Sequence, residues 1–346
     1  MTALSPAIET LARNRRTRSV HRRMLIGFLL ALLVGLFALT LLRGESLTPP
    51  LDVLRVLMGE DIAGASFTVG ELRLPRALLS ILTGLSFGLG GVAFQIMLRN
   101  PLASPDIIGI SSGASAAAVF AIVGLSLRGT VVSVFAIAAG LAVALLIYGL
   151  SFRGGVAGTR LILVGIGISA MLQSALAYLL SIAPEWSLQE AMRWLTGSVN
   201  GARLEQSALL AIALVSFGAL LLSRSRDLEA LRLGDDTAAA LGVRVAPTRV
   251  IVMVAAVGII SFATSMAGPI AFVAFLSGPI ASRVMGANGS LLVPAALIGA
   301  ILVLLGDYCG QFLLPNRYPV GVVTGALGAP YLLYLIVRAN RGGGTL

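Results

Sequence analysis

Lysine is absent from this 346-residue sequence, and histidine and cysteine occur once each, as His21 and Cys309. A P-loop and a Schiff-base enzyme both need a lysine, so both are excluded. One His and one Cys cannot build a zinc site or a Cys-x-x-Cys pair, and a Ser-His-Asp triad would depend on a His in a charged tail. The sequence therefore predicts no catalytic residue, no metal site and no cofactor.

Charged residues are also scarce. They make up 12% of the chain, against 57% hydrophobic residues and a mean hydropathy of +0.96. Soluble domains are much less apolar, and a membrane-spanning helix takes roughly 20 apolar residues. The sequence therefore predicts an all-α integral membrane protein with about ten transmembrane helices. They lie at about residues 24–42, 77–98, 107–125, 130–150, 161–182, 207–223, 248–267, 269–285, 291–314 and 319–337.

The arginine positions predict the topology. Six arginines precede the first apolar stretch and eleven more fall in alternate loops, so 17 of the 25 basic residues share one side. The positive-inside rule makes that side cytoplasmic and places both termini there. The net charge of +10 is thus interpreted as a topological anchor, not as a nucleic-acid site. The predicted parts are a cytoplasmic tail over residues 1–23, a transmembrane domain over 24–338 and a cytoplasmic tail over 339–346.

The first apolar stretch has a basic flank, as a signal peptide does. Its apolar core is too long for a signal peptide, and residues 41–44 offer no small-x-small cleavage site. It is therefore predicted to be the first transmembrane helix.

Small residues and prolines predict how the helices pack and turn. Gly84 and Gly88, and likewise Gly109 and Gly113, have the four-residue spacing that allows close helix contact. Two prolines within residues 99–106 predict a hairpin between the second and third spans.

Two further segments interrupt the pattern of spans. Residues 184–201 carry Trp186 and Trp194 and are expected to form a short helix along the outer surface. Gly-Pro pairs at 268–269 and 278–279 interrupt the eighth span. These breaks either line a pathway or mark simple kinks between packed helices.

The polar loop over residues 224–247 is predicted to be a docking surface. Asp235 or Asp236 can cap a short helix over 237–241, and Gly242 can end it in the left-handed conformation. Apolar side chains on a charged loop indicate that a soluble partner covers them. They are Leu228, Leu231, Leu233 and Leu241.

Asp307 is the one acidic residue that falls well inside a predicted span. Ion-coupled carriers usually have several ionisable groups near the middle of the bilayer. We therefore expect Asp307 to pair with an arginine or to reach the interface, which leaves an ion-coupled secondary transporter as a remote alternative. A membrane enzyme is more remote still.

Several motifs spread along the chain resemble the signature of the FecCD family, the permeases of iron-siderophore and vitamin B12 ABC importers. Together the motifs cover roughly residues 70–335. They are Arg73-Leu74-Pro75-Arg76, Leu98-Arg99-Asn100-Pro101-Leu102-Ala103-Ser104-Pro105-Asp106-Ile107-Ile108-Gly109 with Ser112-Gly113-Ala114, Trp194-Leu195-Thr196-Gly197-Ser198, Leu233-Gly234-Asp235-Asp236-Thr237-Ala238 with Ala240-Leu241-Gly242-Val243, Gly268-Pro269-Ile270-Ala271-Phe272-Val273, and Pro319-Val320-Gly321-Val322-Val323-Thr324-Gly325 with Gly328-Ala329-Pro330.

The resemblance implies a type II (BtuC-like) ABC importer permease in the bacterial cytoplasmic membrane, with ATP hydrolysed on separate partner subunits. It also implies a second permease subunit, in a heterodimer or a homodimer, and a periplasmic or lipid-anchored siderophore-binding protein. The coupling helix for the ATP-binding subunits would be formed by Leu233, Gly234, Asp235, Asp236, Thr237, Ala238, Leu241, Gly242 and Val243. Arg55 and Arg317, in outer loops, would dock the binding protein through its acidic residues, or are ordinary solvated charges.

Within the family the chain is most similar to the FepG-type branch, the ferric-enterobactin permeases that work as heterodimers. Permeases for cobalamin or haem remain alternatives. Ser169, Met171 and Gln173 in the fifth span are candidates for the pathway, together with the tenth span. One departure concerns the Pro-His that usually follows the Gly-Pro-Ile-x-Phe-Val motif. This chain has Gly278-Pro279 and no His there, so no role of that His is carried over.

Overall fold

The computed structural model describes residues 6–44, 46–104, 109–151, 158–286 and 289–341, and these residues contain no β-strand. Residues 105–106 of the predicted hairpin, Arg153 and the outermost parts of both tails lie outside them. The helices are α1 (Pro6–Leu42), α2 (Pro50–Leu57), α3 (Leu74–Leu98), α4 (Ile110–Val119), α5 (Thr130–Ser151), α6 (Gly158–Ser181), α7 (Glu185–Leu195), α8 (Leu204–Ser223), α9 (Ser225–Leu231), α10 (Asp235–Ala240), α11 (Val245–Ala267), α12 (Val273–Met285), α13 (Leu292–Phe312) and α14 (Val320–Arg341). Two π-helical segments, Ser66–Arg73 and Phe120–Gly124, precede α3 and extend α4.

The predicted spans agree with these helices. Among the described residues, seven helices are long and apolar enough to cross a membrane, and three shorter apolar helices occupy the remaining predicted positions: Ile110–Gly124, Val273–Met285 and Val320–Leu335. α12 begins four residues after the predicted start because residues 268–272 are not helical. The predicted surface helix is α7. The chain is thus a multi-pass membrane protein with about ten spans.

The N-terminal arginine-rich segment is helical from Pro6 onward. α1 runs without a break through Leu42, so the predicted tail and the first span form one helix of 37 residues. Arg22 in α1 donates to the backbone carbonyl of Ser290 at 2.8 Å, which ties this helix to the loop before α13. This contact lies at the same end of the bundle as α9 and α10, and that end is called the α10 end below. The opposite end, which carries α2 and α7, is called the α7 end.

α3 is the central helix of the bundle. In its most apolar window, 78% of the residues are buried, against 17% in the corresponding window of α1. It packs against α8, α11, α12 and α13, while α4, α5 and α6 form a flanking group that joins the centre mainly through α11. The interior is therefore built around one buried helix.

The predicted close packing at Gly84 and Gly88 is confirmed. A Cβ atom on Gly84 would lie 2.6 Å from the carbonyl carbon of Gly299, and one on Gly88 would lie 2.9 Å from that of Ala295. In lipid there is little hydrophobic gain when helices associate, so the contact depends on close backbone approach. α3 and α13 therefore touch backbone to backbone.

The second glycine pair has a different origin. Gly109 is not inside a helix; it precedes α4 with a φ of +95°, a conformation that glycine adopts without strain. Gly113 does lie in α4, where a Cβ would come 2.7 Å from the side chain of Val143 in α5. The expectation of close packing thus holds for Gly113, and also for Gly109, which lies just outside a helix but where a Cβ would come 2.6 Å from Oγ of Ser169 in α6.

A side chain of α3 stabilises a kink in α12. Pro279 lies inside α12 and has no N–H to donate to the carbonyl of Phe275, four residues earlier. The buried Gln95 side chain donates its Nε2–H to that carbonyl at 2.9 Å. Gly278 makes the approach possible, because a Cβ there would collide with Oε1 of Gln95. The second Gly-Pro break is therefore a kink at Pro279. The carbonyl that the proline leaves without a donor is bonded by a side chain of α3.

Asp307 pairs with an arginine, as expected. Arg76 of α3 donates to both carboxylate oxygens of Asp307 in α13, at 2.6 and 2.7 Å, and to Oδ1 of Asn200 at 2.6 Å. The Asp307 side chain is only 8% exposed. A two-pronged bond of this kind fixes orientation as well as charge. It holds α3, α13 and the chain before α8 together at the α7 end.

The packing of α3 on α13 predicts a contrast between two glycine substitutions. Gly84→Ala should destabilise the protein by about 1–3 kcal/mol, because the added methyl group forces two backbones apart. Gly27→Ala in α1 is the matched control, since nothing lies within 4 Å of a Cβ there. The measurement is the temperature at which half of the detergent-purified protein is no longer monodisperse. Equal temperatures for both variants would contradict the packing.

The kink in α12 predicts non-additive substitutions. Gln95→Leu should cost about 1–3 kcal/mol, because the buried carbonyl of Phe275 loses its donor. In a Pro279→Ala background the restored N–H can bond that carbonyl within the helix, so the same change should cost much less. Thermal stability of the four proteins of this cycle measures the difference. Additive effects would show that Gln95 does not serve the carbonyl of Phe275.

Candidate functional site

A cavity of about 410 Å³ lies between α4, α6, α14 and the segment that joins α11 to α12. Its lining combines hydroxyl and amide groups with large apolar side chains, and none of its described lining residues is charged. They are Ser104, Ser111, Ser112, Ser115, Leu172, Gln173, Leu176, Leu195, Pro269, Ile270, Ala271, Phe272, Phe275 and Leu332. The cavity can thus contact a ligand through neutral donors and acceptors.

The first Gly-Pro break forms one wall of this cavity. Gly268 has a φ of +71° and Phe272 a φ of +64°, so the backbone leaves the helix of α11 and starts α12 in a new direction. Residues 269–272, which follow Gly268, all line the cavity. Non-helical backbone at membrane depth occurs where it is buried in protein or lines a cavity. The first Gly-Pro break therefore lines a cavity.

The three predicted pathway residues lie in different surroundings. Gln173 lines the cavity. Ser169, one turn earlier on α6, is 8% exposed, and its Oγ lies 2.6 Å from where a Cβ on Gly109 would be. Met171 is 72% exposed and is not among the lining residues. The structure therefore brings one of the three to the cavity.

Sequence reasoning missed the serines of α4. Ser111, Ser112 and Ser115 lie in the first turns of this short helix and line the cavity. Their spacing of one and four residues places hydroxyl groups on adjoining faces of an otherwise apolar span. That spacing was the available signal, since a hydroxyl in lipid is favourable only if it meets a partner or water.

Three sequence motifs distant from one another meet at the α7 end. The backbone N–H of Ser198 donates to the carbonyl of Ala267 at 2.7 Å, and that of Gly321 donates to the carbonyl of Gly197 at 3.1 Å. A Cβ on Gly197 would lie 2.5 Å from the carbonyl oxygen of Pro269. The chain after α7, the break after α11 and the start of α14 are thus joined directly through their backbones.

The predicted coupling helix is α10. It ends as predicted: Gly242 has a φ of +89°, its N–H donates to the carbonyl of Ala239, and the N–H of Val243 donates to that of Ala238. This pair of bonds is the Schellman motif. The left-handed glycine closes the helix and turns the chain toward α11.

The predicted cap by Asp235 or Asp236 is wrong. Gly234 occupies the N-cap position with a φ of +108°, and no side chain caps the helix. Asp235 instead accepts from Nη2 of Arg249 in α11 at 2.8 Å and lies 3.8 Å from Nη2 of Arg99, at the end of α3. Through these two arginines, the carboxylate of Asp235 attaches α10 to α11 and to the end of α3.

The four leucines of the loop divide into two pairs. Leu228 and Leu231 are 1% and 0% exposed and belong to the main core, so the prediction that they lie on a docking surface is wrong. Leu233 and Leu241 flank α10 and are each 64% exposed. Because Ala238 between them is buried, α10 stands on the core and presents two leucines outward.

The two outer arginines lie at the α7 end. Arg55 in α2 donates to Glu60 at 2.6 Å, with both side chains about half exposed at 47%. Arg317 is exposed in the connection between α13 and α14. Arg55 therefore has an acidic partner within its own chain, which a docking partner would have to share or replace.

The described residues contain no group of three or more His, Cys, Asp or Glu side chains placed to hold a metal ion. The chemistry that the site offers is thus that of hydroxyl, amide and apolar groups in the cavity, together with the two exposed leucines of α10.

Comparisons with known proteins agree with this architecture. The model of the FecCD transport family matches residues 13–338. The ferric enterobactin permease protein FepG of Escherichia coli is 38% identical over 93% of this chain and 98% of its own length. The achromobactin permease protein CbrC of Dickeya dadantii is 37% identical over 91% and 92%.

The solved structure of a metal-chelate-type ABC transporter in an inward-facing conformation superposes with a TM-score of 0.79. It is 27% identical and covers 91% of this chain and 99% of its own. The predicted fold class is therefore confirmed. With a family model that spans nearly the whole sequence, these similarities establish that the chain belongs to the FecCD transport family.

Proposed function

We propose that this chain is the membrane-spanning permease subunit of an ABC importer that carries a ferric siderophore across the bacterial inner membrane. Its relatives are named as permeases for ferric enterobactin, achromobactin and iron citrate. This chain transports the substrate and catalyses no reaction. ATP is hydrolysed on separate subunits, because the sequence has no lysine for a P-loop.

The exposed leucines of α10 are the observation that carries this proposal. Leu233 and Leu241 flank a short helix, α10, whose Ala238 is buried in the core. Exposed leucines at the edge of a membrane protein's polar face indicate contact with a protein partner. The ATP-binding subunit provides the groove for residues 233–243, and both termini lie on the same, cytoplasmic side.

A rigid path leads from α10 to the cavity. Asp235 is bonded to Arg249 in the first turns of α11. α11 has 23 residues, which corresponds to about 35 Å of helix. It ends at the break over residues 268–272 that lines the cavity. A displacement of α10 by ATP binding is thus passed along α11 to the wall of the pathway.

The exposed face of α6 supports a second permease subunit. Only 17% of its apolar window is buried, yet it exposes Gln173 and Ser174. An amide facing lipid lacks hydrogen-bond partners, so protein or water covers this face in the assembly. The pathway therefore lies between two permease subunits. The similarity to FepG favours a heterodimer.

The neutral lining of the cavity suits a transported chelate. Serine hydroxyls and the amide of Gln173 can bond the oxygen atoms of a siderophore one at a time, without a charge that would retain it. A periplasmic or lipid-anchored binding protein delivers the chelate at the α7 end, where Arg55 and Arg317 meet its acidic residues.

The ion pair of Asp307 argues against an ion-coupled carrier. Its carboxylate is held by two bonds from Arg76. A carboxylate that must bind and release a proton or sodium ion during each cycle is poorly served by a permanent guanidinium partner. This pairing supports ATP, and not an ion gradient, as the energy source.

Uptake of labelled chelates tests the proposed function. A strain that lacks only this chain should lose ferric enterobactin uptake and keep uptake of cobalamin and haem. A protonophore should leave uptake by vesicles unchanged when ATP and its hydrolysis are intact. Retained ferric-siderophore uptake with lost cobalamin or haem uptake would assign the chain to one of those substrates. Loss of uptake with the protonophore would indicate ion coupling.

The docking role of α10 predicts a loss of subunit binding. Replacing Leu233 and Leu241 together by Ala should weaken ATPase association at least about tenfold, because about 1.5–3 kcal/mol is lost for each leucine buried in the complex. Leu313→Ala is the control: this leucine is 66% exposed but lies after α13, at the α7 end. Pull-down of the ATPase measures the effect, and undiminished capture by the double variant would refute the role.

A further inference from the structure

A second cavity, of about 250 Å³, lies at the α10 end. It is bounded by the last turn of α3, the kinked part of α12, the residue before α13 and Arg232 in the connection between α9 and α10. Its volume is about eight times the ~30 Å³ that one water occupies in the liquid. It is thus smaller than ordinary ligand pockets and suits a small polar group with its waters.

Four of the five polar side chains that line this cavity can donate hydrogen bonds to a ligand; the fifth, Gln95, uses its Nε2 group on the carbonyl of Phe275 and adds its Oε1 as an acceptor. Arg99 and Arg232 bring two guanidinium groups, and none of the described lining residues is acidic. Asn100 accepts from the N–H of Leu102 through Oδ1 at 2.8 Å, which leaves its Nδ2 group as a donor. Ser282 adds a hydroxyl group. Such a set of donors recognises an anion.

The two arginines are not neutralised by strong ion pairs. Arg232 forms no ion pair within the part of the chain that the structure describes. Arg99 is 3.8 Å from Asp235, and that carboxylate is bonded more closely, at 2.8 Å, to Arg249. A surplus of positive charge therefore remains at the cavity.

The remaining wall of the cavity is apolar. Val92, Ile96 and Leu291 line it at the ends of membrane-spanning helices. A cationic site beside an apolar wall at the membrane boundary fits a phosphate group, which offers several oxygens to the planar fork of an arginine. A peptide carboxylate has fewer acceptor oxygens for four separate donor side chains.

We propose that this cavity binds a phosphate group through Arg99 and Arg232, either the headgroup of an anionic phospholipid or free phosphate. Nothing in the transport cycle proposed above uses these donors for the chelate, since the cavity of the pathway has a different lining.

Binding here is linked to the position of α10. Arg99 is a non-glycine residue with a φ of +50°, a conformation that costs energy and holds its side chain beside Gly234 and Asp235. A phosphate group in the cavity competes with Asp235 for Arg99 and so weakens one of the two ion pairs that Asp235 of α10 forms. This link rests on the proposed coupling role of α10, whereas the binding itself does not.

The test measures binding to the purified full-length chain, without transport. One arm compares nanodiscs of phosphatidylcholine with nanodiscs that also contain phosphatidylglycerol, and counts the anionic lipids that remain bound in native mass spectrometry. The other arm titrates inorganic phosphate into the phosphatidylcholine nanodiscs by calorimetry. Arg232→Gln should weaken binding roughly tenfold in the arm where binding occurs, and added salt should weaken it further. Arg226→Gln, an exposed arginine of α9 outside the cavity, should have no effect.

Binding in the lipid arm assigns the site to a headgroup, and binding in the phosphate arm assigns it to a free anion. Absence of binding in both arms, or equal binding by the Arg232→Gln and wild-type proteins, overturns the proposal. If Arg232→Gln reduces ATPase capture while lipid and phosphate binding stay unchanged, Arg232 contacts that subunit and the proposal is also overturned. Because uptake is not the readout, these results are independent of the proposed substrate.

Discussion

The backbone contact between α3 and α13 is the constraint on which the rest of the structure depends. Gly84 and Gly88 leave no room for a side chain against Gly299 and Ala295. In lipid, helix association depends on such packing and on hydrogen bonds, not on removing apolar surface from water. The close contact places α3 at the centre. Its far end can then carry Gln95 to the kink of α12 and Arg99 to α10.

Where a helix of this protein is interrupted, another segment supplies hydrogen-bond partners for the backbone groups that the interruption leaves free. The break after α11 is bonded to the chain after α7, which is bonded in turn to the start of α14. The carbonyl freed by Pro279 is bonded by Gln95. The bilayer supplies no donors or acceptors, so each interruption of a helix needs a partner in the fold. The same breaks line the two cavities.

The chain has 25 arginines and no lysine, and the arginine side chain has structural uses beyond topology. Arg76 holds Asp307 with two bonds, and Arg73 donates to the backbone carbonyls of Leu41 and Ser46 at 2.8 and 2.9 Å. The planar group with five donors can serve several acceptors at once, which a lysine cannot do in the same geometry. The hydrogen bonds of Arg76 and Arg73 both lie at the α7 end, where they join the start of α3 to neighbouring segments.

The sequence by itself determined the membrane environment, the order and approximate bounds of the spans, the closure of α10 at Gly242 and the family, because these follow from local composition, periodicity and motifs. It also indicated a partner for Asp307. Only the tertiary structure decided that Arg76 is this partner, that Leu228 and Leu231 are core, that Asp235 pairs with Arg249, and that serines of α4 line the cavity. Each depends on which face of a helix meets a segment far away in the chain. Local patterns do not specify that, since apolar residues cover nearly every face of a membrane helix.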